Sequence, residues 1–360
     1  MRPGAGPARR AVAAFVAACL AGCASVGPST IARDRIDYDQ AITTSWKRAM
    51  LLNMVKLRYG DTPMFLDVAS IINSYTLEGQ VSGGANWSPA PGSTVSSLGG
   101  FAHYADKPTI TYNPLLGERF TRSMMTPMQP GVVVSLIQSG WAADLVMRLM
   151  VSSANGVYNR FGGGGRARGA DPDFSVITGA MRRIQGSAAV GMRVDKGQGQ
   201  DLTVLVLHRK NMSPEIQADV KALRSALGIR EGAGEIRVFY GSVPKADDEL
   251  ALVTRSMLEI LVDLASGIEA PAGDVSRGMV PPARHFDTDE EDRFQPLVQV
   301  HSGDSEPKDA FVSVAYHGHW FWIDDTDYAS KTMFSFVMMI FSLMDTAAPR
   351  GQPIVTIPAG

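Results

Sequence analysis

Apolar residues Ile42, Trp46, Met50, Met54 and Leu57 recur at helical intervals, with Lys47, Arg48, Lys56 and Arg58 among them and Gly60-Asp61 as a stop. The spacing predicts an amphipathic helix of about twenty residues, and Leu51, Leu52 and Val55 widen its stripe enough to favour packing into a core over lying on lipid. Residues 65–87 and 99–112 mix β-branched and aromatic residues with Gly and Pro, which predicts strands and a hairpin. Two short helices follow at 116–125 and 132–138, divided by Pro127 and Pro130, and 145–151 reads as a buried strand. The glycine-rich stretch 160–172 reads as a flexible loop or a boundary between subdomains.

Beyond it the pattern alternates: helix 174–185, strands 188–194 and 202–208, helix 214–227, strand 235–240 and helix 249–266. Ser213-Pro214-Glu215 is a helix start, with Ser213 as cap and Pro214 in the first turn. Strands at 311–316 and 320–323 are joined through His317-Gly318-His319, a helix runs over 329–344, and a strand closes the chain at 354–357. Residues 333–344 are apolar on every side, but about 18 Å of helix falls short of the roughly 30 Å hydrocarbon layer, so they predict a buried central helix. The fold class expected is α+β, with mainly antiparallel sheet layers packed with helices. The segmentation expected is a leader at 1–22, a tether at 23–34, an N-terminal α+β region at 35–160 and a helix-on-sheet sandwich at 173–270. An acidic Pro-rich linker at 271–296 and a hairpin-helix region at 297–360 complete it.

The first residues carry an address. Arg2, Arg9 and Arg10 precede an apolar run at 11–20, the pattern of a signal peptide too short to span as an anchor. Leu20-Ala21-Gly22-Cys23 then resembles the lipobox of bacterial lipoproteins, so Cys23 is the expected first mature residue and the site of acylation, giving lasting attachment to a bilayer. Ala24 in place of an aspartate resembles the pattern of outer-membrane cargo, so the expected location is the outer membrane, with the body facing the periplasm. The chain of 360 residues has two cysteines, Cys19 and Cys23, which excludes a disulfide framework or multi-cysteine metal site in the body. Its net charge of −2 argues against nucleic acid as a partner.

Motifs for chemistry are scarce. Gly-x-Ser-x-Gly, His-Glu-x-x-His, a Walker loop and Gly-x-Gly-x-x-Gly are all missing, so no cofactor is expected. The constellation that remains is His317 and His319 with Asp324, Asp325 and Asp327. Positions i and i+2 of a strand share a face, so both histidines could reach one Zn²⁺ or serve as acid and base; Gly318 between them instead favours a turn, with Asp325 or Asp327 capping the next helix. Trp320 and Trp322 are expected to share the face of His319 as a packed or interfacial surface, and Trp87 is a further candidate contact.

Residues 33–42, 47–71, 111–120 and 318–331 (GHWFWIDDTDYASK) resemble a family of uncharacterised proteobacterial lipoproteins, over most of the mature chain. The resemblance implies an envelope lipoprotein and carries no activity, ligand or catalytic residue with it. The function expected is therefore a binding or assembly component for another envelope protein, beside two alternatives: a hydrolase or metal-dependent enzyme using His317 and His319, and a carrier of a small apolar ligand. A deep apolar cavity would favour the carrier.

Overall fold

Pro28 opens the first helix, α1 (Pro28–Arg58), in the computed structural model, which describes residues 28–72, 75–86, 95–106, 109–163, 167–187, 190–196, 201–207, 212–282 and 296–344. Cys23 and the leader, Trp87, Gly164 and Gly165, the acidic run at 287–292 and the strand expected at 354–357 lie outside the described residues. Because α1 begins at Pro28, residues 28–34 of the expected tether are helical. The helix is about 46 Å long at 1.5 Å per residue, and its C-terminal half is the embedded part: Met50, Leu51, Met54 and Val55 are all buried. Asn53, buried on the same turn, donates from Nδ2 to the Met64 carbonyl at 2.8 Å and accepts the Met64 amide at 2.9 Å. That pair folds the chain back at 60–65 and aims it into the next element.

The next element is a long antiparallel ribbon. β1 (Leu66–Ile72) pairs with β4 (Thr109–Pro114), and β2 (Tyr75–Asn86) pairs with β3 (Val95–Asp106) in unbroken register from Tyr75↔Asp106 to Asn86↔Val95. Each pair is a sheet of two strands.

After the ribbon, α2 (Gly117–Phe120) runs into a π turn (Thr121–Met125), followed by α3 (Pro130–Gln138) and α4 (Ala143–Met150). The strand expected at 145–151 is thus a helix up to Met150. Its apolar positions alternate with Asp144 and Arg148 at helical spacing, and only Val151 onward is extended. β5 (Val151–Ala154) and β6 (Val157–Tyr158) turn through Asn155 and Gly156, both at positive φ. Then come α5 (Pro172–Gly186), β7 (Val190–Lys196), β8 (Asp201–Leu207), α6 (Pro214–Leu227), β9 (Glu235–Tyr240) and β10 (Glu249–Thr254). The helix expected over 249–266 is two elements, β10 and α7 (Met257–Ser266). Ser256 divides them: its hydroxyl accepts the Glu259 amide while the Glu259 carboxylate accepts the Ser256 amide, a reciprocal cap that fixes the helix start.

These strands form one six-stranded sheet in the order β6-β5-β10-β9-β8-β7, antiparallel except for the parallel pair β10–β9. The sheet takes two strands from before the glycine-rich stretch and four from after it, with α3, α4, α5 and α6 against it. The short helix α8 (Ala272–Ser276) leads towards β11 (His301–Gly303), β12 (Ala310–Tyr316) and β13 (His319–Asp324), a sheet ordered β11-β13-β12. β12 packs on α1. The closing helix α9 (Tyr328–Met344) buries Met333, Phe334, Phe336, Val337, Met338 and Ile340, as the apolar run predicts, while Leu343 at its end is exposed. One apolar core runs through both halves, from Met54 and Phe321 to Leu252 and Ile177. The class is α+β.

Candidate functional site

His317 lies within a tight hairpin turn and His319 opens the strand that leaves it, so the two do not line one strand. His317 at φ 49° and Gly318 at φ 82° make the two central residues of the β12–β13 connection, closed by the Tyr316↔His319 pair. The turn sends the two rings to different carboxylates. His317 Nε2 lies 3.7 Å from Asp61 Oδ2, whereas His319 places Nδ1 2.8 Å from Asp304 Oδ1 and Nε2 3.8 Å from Asp274 Oδ1.

Asp324, Asp325 and Asp327 do not join them. At about 3.3 Å per residue, Asp324 is some 17 Å along β13 from His319. Its Oδ1 accepts from the Thr326 hydroxyl at 2.6 Å and the Thr326 amide at 2.8 Å, bonds that hold its carboxyl below the usual range. Asp325 pairs with Lys331 Nζ at 2.7 Å, and Asp327 accepts the Ser330 amide at 3.0 Å, capping α9. Trp320 and Trp322 are half-buried on the other face from His319, because the strand period of two groups His319 with Phe321 and Ile323, of which the last two are in the core. The expected shared face of His319, Trp320 and Trp322 therefore does not form.

What His319 does meet is a network that sequence spacing could not show. Asp274, at 0% exposure, accepts the Tyr59 hydroxyl at 2.5 Å on Oδ2 and the Arg277 guanidinium on Oδ1. Those bonds, Tyr59 first, outweigh desolvation and hold Asp274 below the usual carboxylate range. Burial, then the bond to Asp274, raises the Tyr59 hydroxyl well above its ordinary value. Tyr316, donating to Asp61, is pushed up to about 12 by desolvation and that bond. The Tyr59 ring packs at 5.4 Å from Tyr316 and 5.2 Å from His317. Next to it, Arg58 donates to the carbonyls of Ile268 (3.2 Å) and Pro281 (2.7 Å). Every acid and phenol here is already engaged, so the network stitches the end of α1, the 268–281 segment and the β12–β13 hairpin together. Among the described residues no group of three or more His, Cys, Asp or Glu is arranged to hold a metal ion.

A second feature is a cavity of about 320 Å³ between the six-stranded sheet and the helices α3 to α6. Ile177, Met181, Leu205, Leu223, Leu227 and Leu252 supply much of its wall. An apolar void of about 150 Å³ already stays dry and accepts benzene, so this space is ample for a small apolar molecule. Gln185 borders it, but its amide is spent on the neighbouring chain: Oε1 accepts the Ala143 amide at 3.0 Å, and Nε2 donates to the Ile137 and Trp141 carbonyls at 2.7 Å each. Gln138 is the other polar residue of the lining, so the wall is mainly apolar.

The third feature is Gly162-Gly163, the first two of four successive glycines, 162–165, in the glycine-rich stretch. Gly162 and Gly163 are buried, which corrects the flexible-loop reading for these two residues. A Cβ at Gly162 would lie 2.0 Å from Ser266 Oγ and 2.8 Å from Ser266 Cβ, and one at Gly163 would lie 2.2 Å from Val262 Cγ1. The Gly162 amide donates to Asp263 Oδ1 at 2.5 Å, and the other carboxylate oxygen of Asp263 meets Arg255 Nη1 at 3.0 Å. Arg255, 1% exposed, also donates to the carbonyls of Arg148, Leu149 and Arg160.

No family model, no curated protein and no solved structure matches the chain. Among the described residues no helix is long and apolar enough to cross a membrane.

Proposed function

We propose that this chain is an outer-membrane lipoprotein, held by acylated Cys23, that works as a binding and assembly component of a bacterial envelope, with its body in the periplasm. The lipobox-like Leu20-Ala21-Gly22-Cys23 and the resemblance to proteobacterial lipoproteins support the location. The observation that carries the assembly reading is the β2–β3 ribbon: two strands of twelve residues in a sheet of their own, with no described strand paired to the outer edge of either. Unpaired strand edges are templates for pairing with another chain, and native proteins ordinarily shorten or cover them. Photo-crosslinkers placed at Ser82 and Ser97 in the full lipoprotein should yield adducts in intact membranes; a chain that stays monomeric and unlinked would overturn the reading. Mass spectrometry of the mature N-terminus tests the anchor separately, and an unmodified Cys23 would remove it.

A carrier of a small apolar ligand is the second reading, supported by the 320 Å³ cavity. Its test is native mass spectrometry of protein released in mild detergent: a bound apolar molecule should be present and should disappear in Leu252→Trp, whose larger side chain fills the space.

A further inference from the structure

The β2–β3 ribbon carries a charge pattern that a water-exposed arm has no need of. Residues 79–102 hold no Asp, Glu, Lys, Arg or His, in a chain of which 19% is charged. Within the ribbon this segment supplies eight consecutive facing pairs, Gly79↔Ala102 to Asn86↔Val95. At about 3.4 Å per residue they cover roughly 27 Å, against an apolar band of about 25 Å in outer-membrane barrels.

The two faces of those rows differ. Directly opposed residues share a face, and the face alternates along each strand. One face takes Gly79, Val81, Gly83 and Ala85 with Ala102, Gly100, Leu98 and Ser96, a set with a single hydroxyl. The other takes Gln80, Ser82, Gly84 and Asn86 with Phe101, Gly99, Ser97 and Val95, where half the positions are polar. Where the uncharged rows end on the body side, Leu77↔Tyr104 and Tyr75↔Asp106 continue the first face and Glu78↔His103 the second. Apolar outward and polar inward alternation, bounded by aromatic and then charged residues, is the pattern of a strand that crosses a bilayer.

Among the described residues neither β2 nor β3 makes extensive contact with any element other than its partner, so no described element covers the apolar face or the two edges. A bilayer would cover the face but would not tolerate the edges, since open backbone groups do not occur in hydrocarbon. The matching occupant of each edge is the same ribbon from another copy. Exposed Met64, Leu66 and Leu116 at the foot of the arm add apolar surface that adjacent copies would bury.

We propose that the β2–β3 ribbon is a membrane-spanning hairpin that closes into an oligomeric β-barrel with the same hairpin of other copies. With two strands from each copy, the smallest barrels of about eight strands need about four copies. This rests on the assembly reading above and names its partner.

The test uses the full lipoprotein in outer membranes. Position 23 is the one cysteine of the expected mature chain, so introduced cysteines report alone once its thiol is acylated. Val81→Cys, Ala85→Cys and Leu98→Cys should react with a membrane-impermeant maleimide about tenfold more slowly than Ser82→Cys and Ser97→Cys, a contrast that vanishes in denaturant. Edge crosslinks should give a ladder of the chain with itself, reaching about the tetramer or beyond. Equal labelling of both faces would overturn the hairpin. Adducts only to a different envelope protein would overturn it too, while leaving the assembly reading standing. Absence of any adduct would sink both. Alternating labelling above the background of the parent chain, on a chain with an unmodified Cys23, would support the hairpin and remove the lipid anchor.

Discussion

Two polar networks hold this protein together, and they differ in how much water they see. Around Arg255 the guanidinium and the Asp263 carboxylate are 1% and 4% exposed, and each nearby acceptor is a backbone carbonyl or that carboxylate. Around Asp274 the centre is equally buried, but the network opens outward through His319 to Asp304, whose side chain is 90% exposed. The first cannot trade a lost bond for water. The second can, progressively, towards its rim. Consequences of substitution should therefore be steep in one and graded in the other.

The largest effect is expected at Arg255. Arg255→Met leaves Asp263 buried without its counter-charge and strips donors from three carbonyls, and breaking a buried pair on one side costs about 3–5 kcal/mol. Denaturant unfolding followed by circular dichroism should show a loss of that order. The double variant Arg255→Met/Asp263→Leu should recover part of it, because both charges are removed together. A single variant within about 1 kcal/mol of the parent would mean that water reaches the pair.

Gly162→Ala tests the same clamp from the other side. The added methyl would overlap Ser266, whose hydroxyl is committed to the Asp263 carbonyl at 2.6 Å, so α7 and the 160–163 segment must part. Overpacking of this kind costs about 1–3 kcal/mol, measurable as a lower midpoint of unfolding. If the variant matched the parent, the close approach of segment and helix would be wrong.

How far these features are legible in the sequence depends on their range. Helix 214–227 and its Ser213 cap are local and are found as the sequence predicts, with Ser213 Oγ accepting the Ile216 amide at 3.3 Å. The hairpin at Gly318 is local too. Misreadings fall where short apolar runs carry no period: 145–150 and 249–254 exchange strand and helix relative to expectation. Ser256-x-x-Glu259 ahead of an apolar run, and Asn155-Gly156 between two short strands, are the signals that could have placed those boundaries. The Tyr59–Asp274 bond joins positions 215 apart, and no spacing rule reaches so far. The polar network around His319 is the least legible part for that reason. Sequence spacing points His319 at Asp324, Asp325 and Asp327, whereas its partners are Asp274 and Asp304.

Asp274→Asn probes the middle of the graded network through pH. Asp274 is held below the usual carboxylate range in the folded chain, so its contribution is complete above the unfolded value near 4 and is lost as pH falls through the depressed folded value. The parent should therefore lose stability on acidification from about pH 5 downward, and the variant, lacking that titration, should be weaker at neutrality with a shallower acid limb. Unfolding midpoints recorded from pH 3 to pH 7 would show the two curves converging at the acid end. Parallel curves would mean that the carboxylate is not stabilised by Tyr59 and Arg277.

The smallest effect is expected at the rim, where the contrast with Arg255 is sharpest. Asp304 meets His319 Nδ1 at 2.8 Å, a distance that resembles the 3.0 Å of Arg255 to Asp263. Distance alone would rank the two pairs together. Exposure separates them: water solvates the Asp304 carboxylate whether or not the imidazole is present, so the pair gains little on forming and leaves no orphan on breaking. Asp304→Asn should change stability by no more than about 0.5 kcal/mol, and added salt should erase what remains. A loss of several kcal/mol, comparable to Arg255→Met, would instead place the β12–β13 hairpin among the sealed parts of the molecule and make its polar groups as unforgiving as the buried clamp.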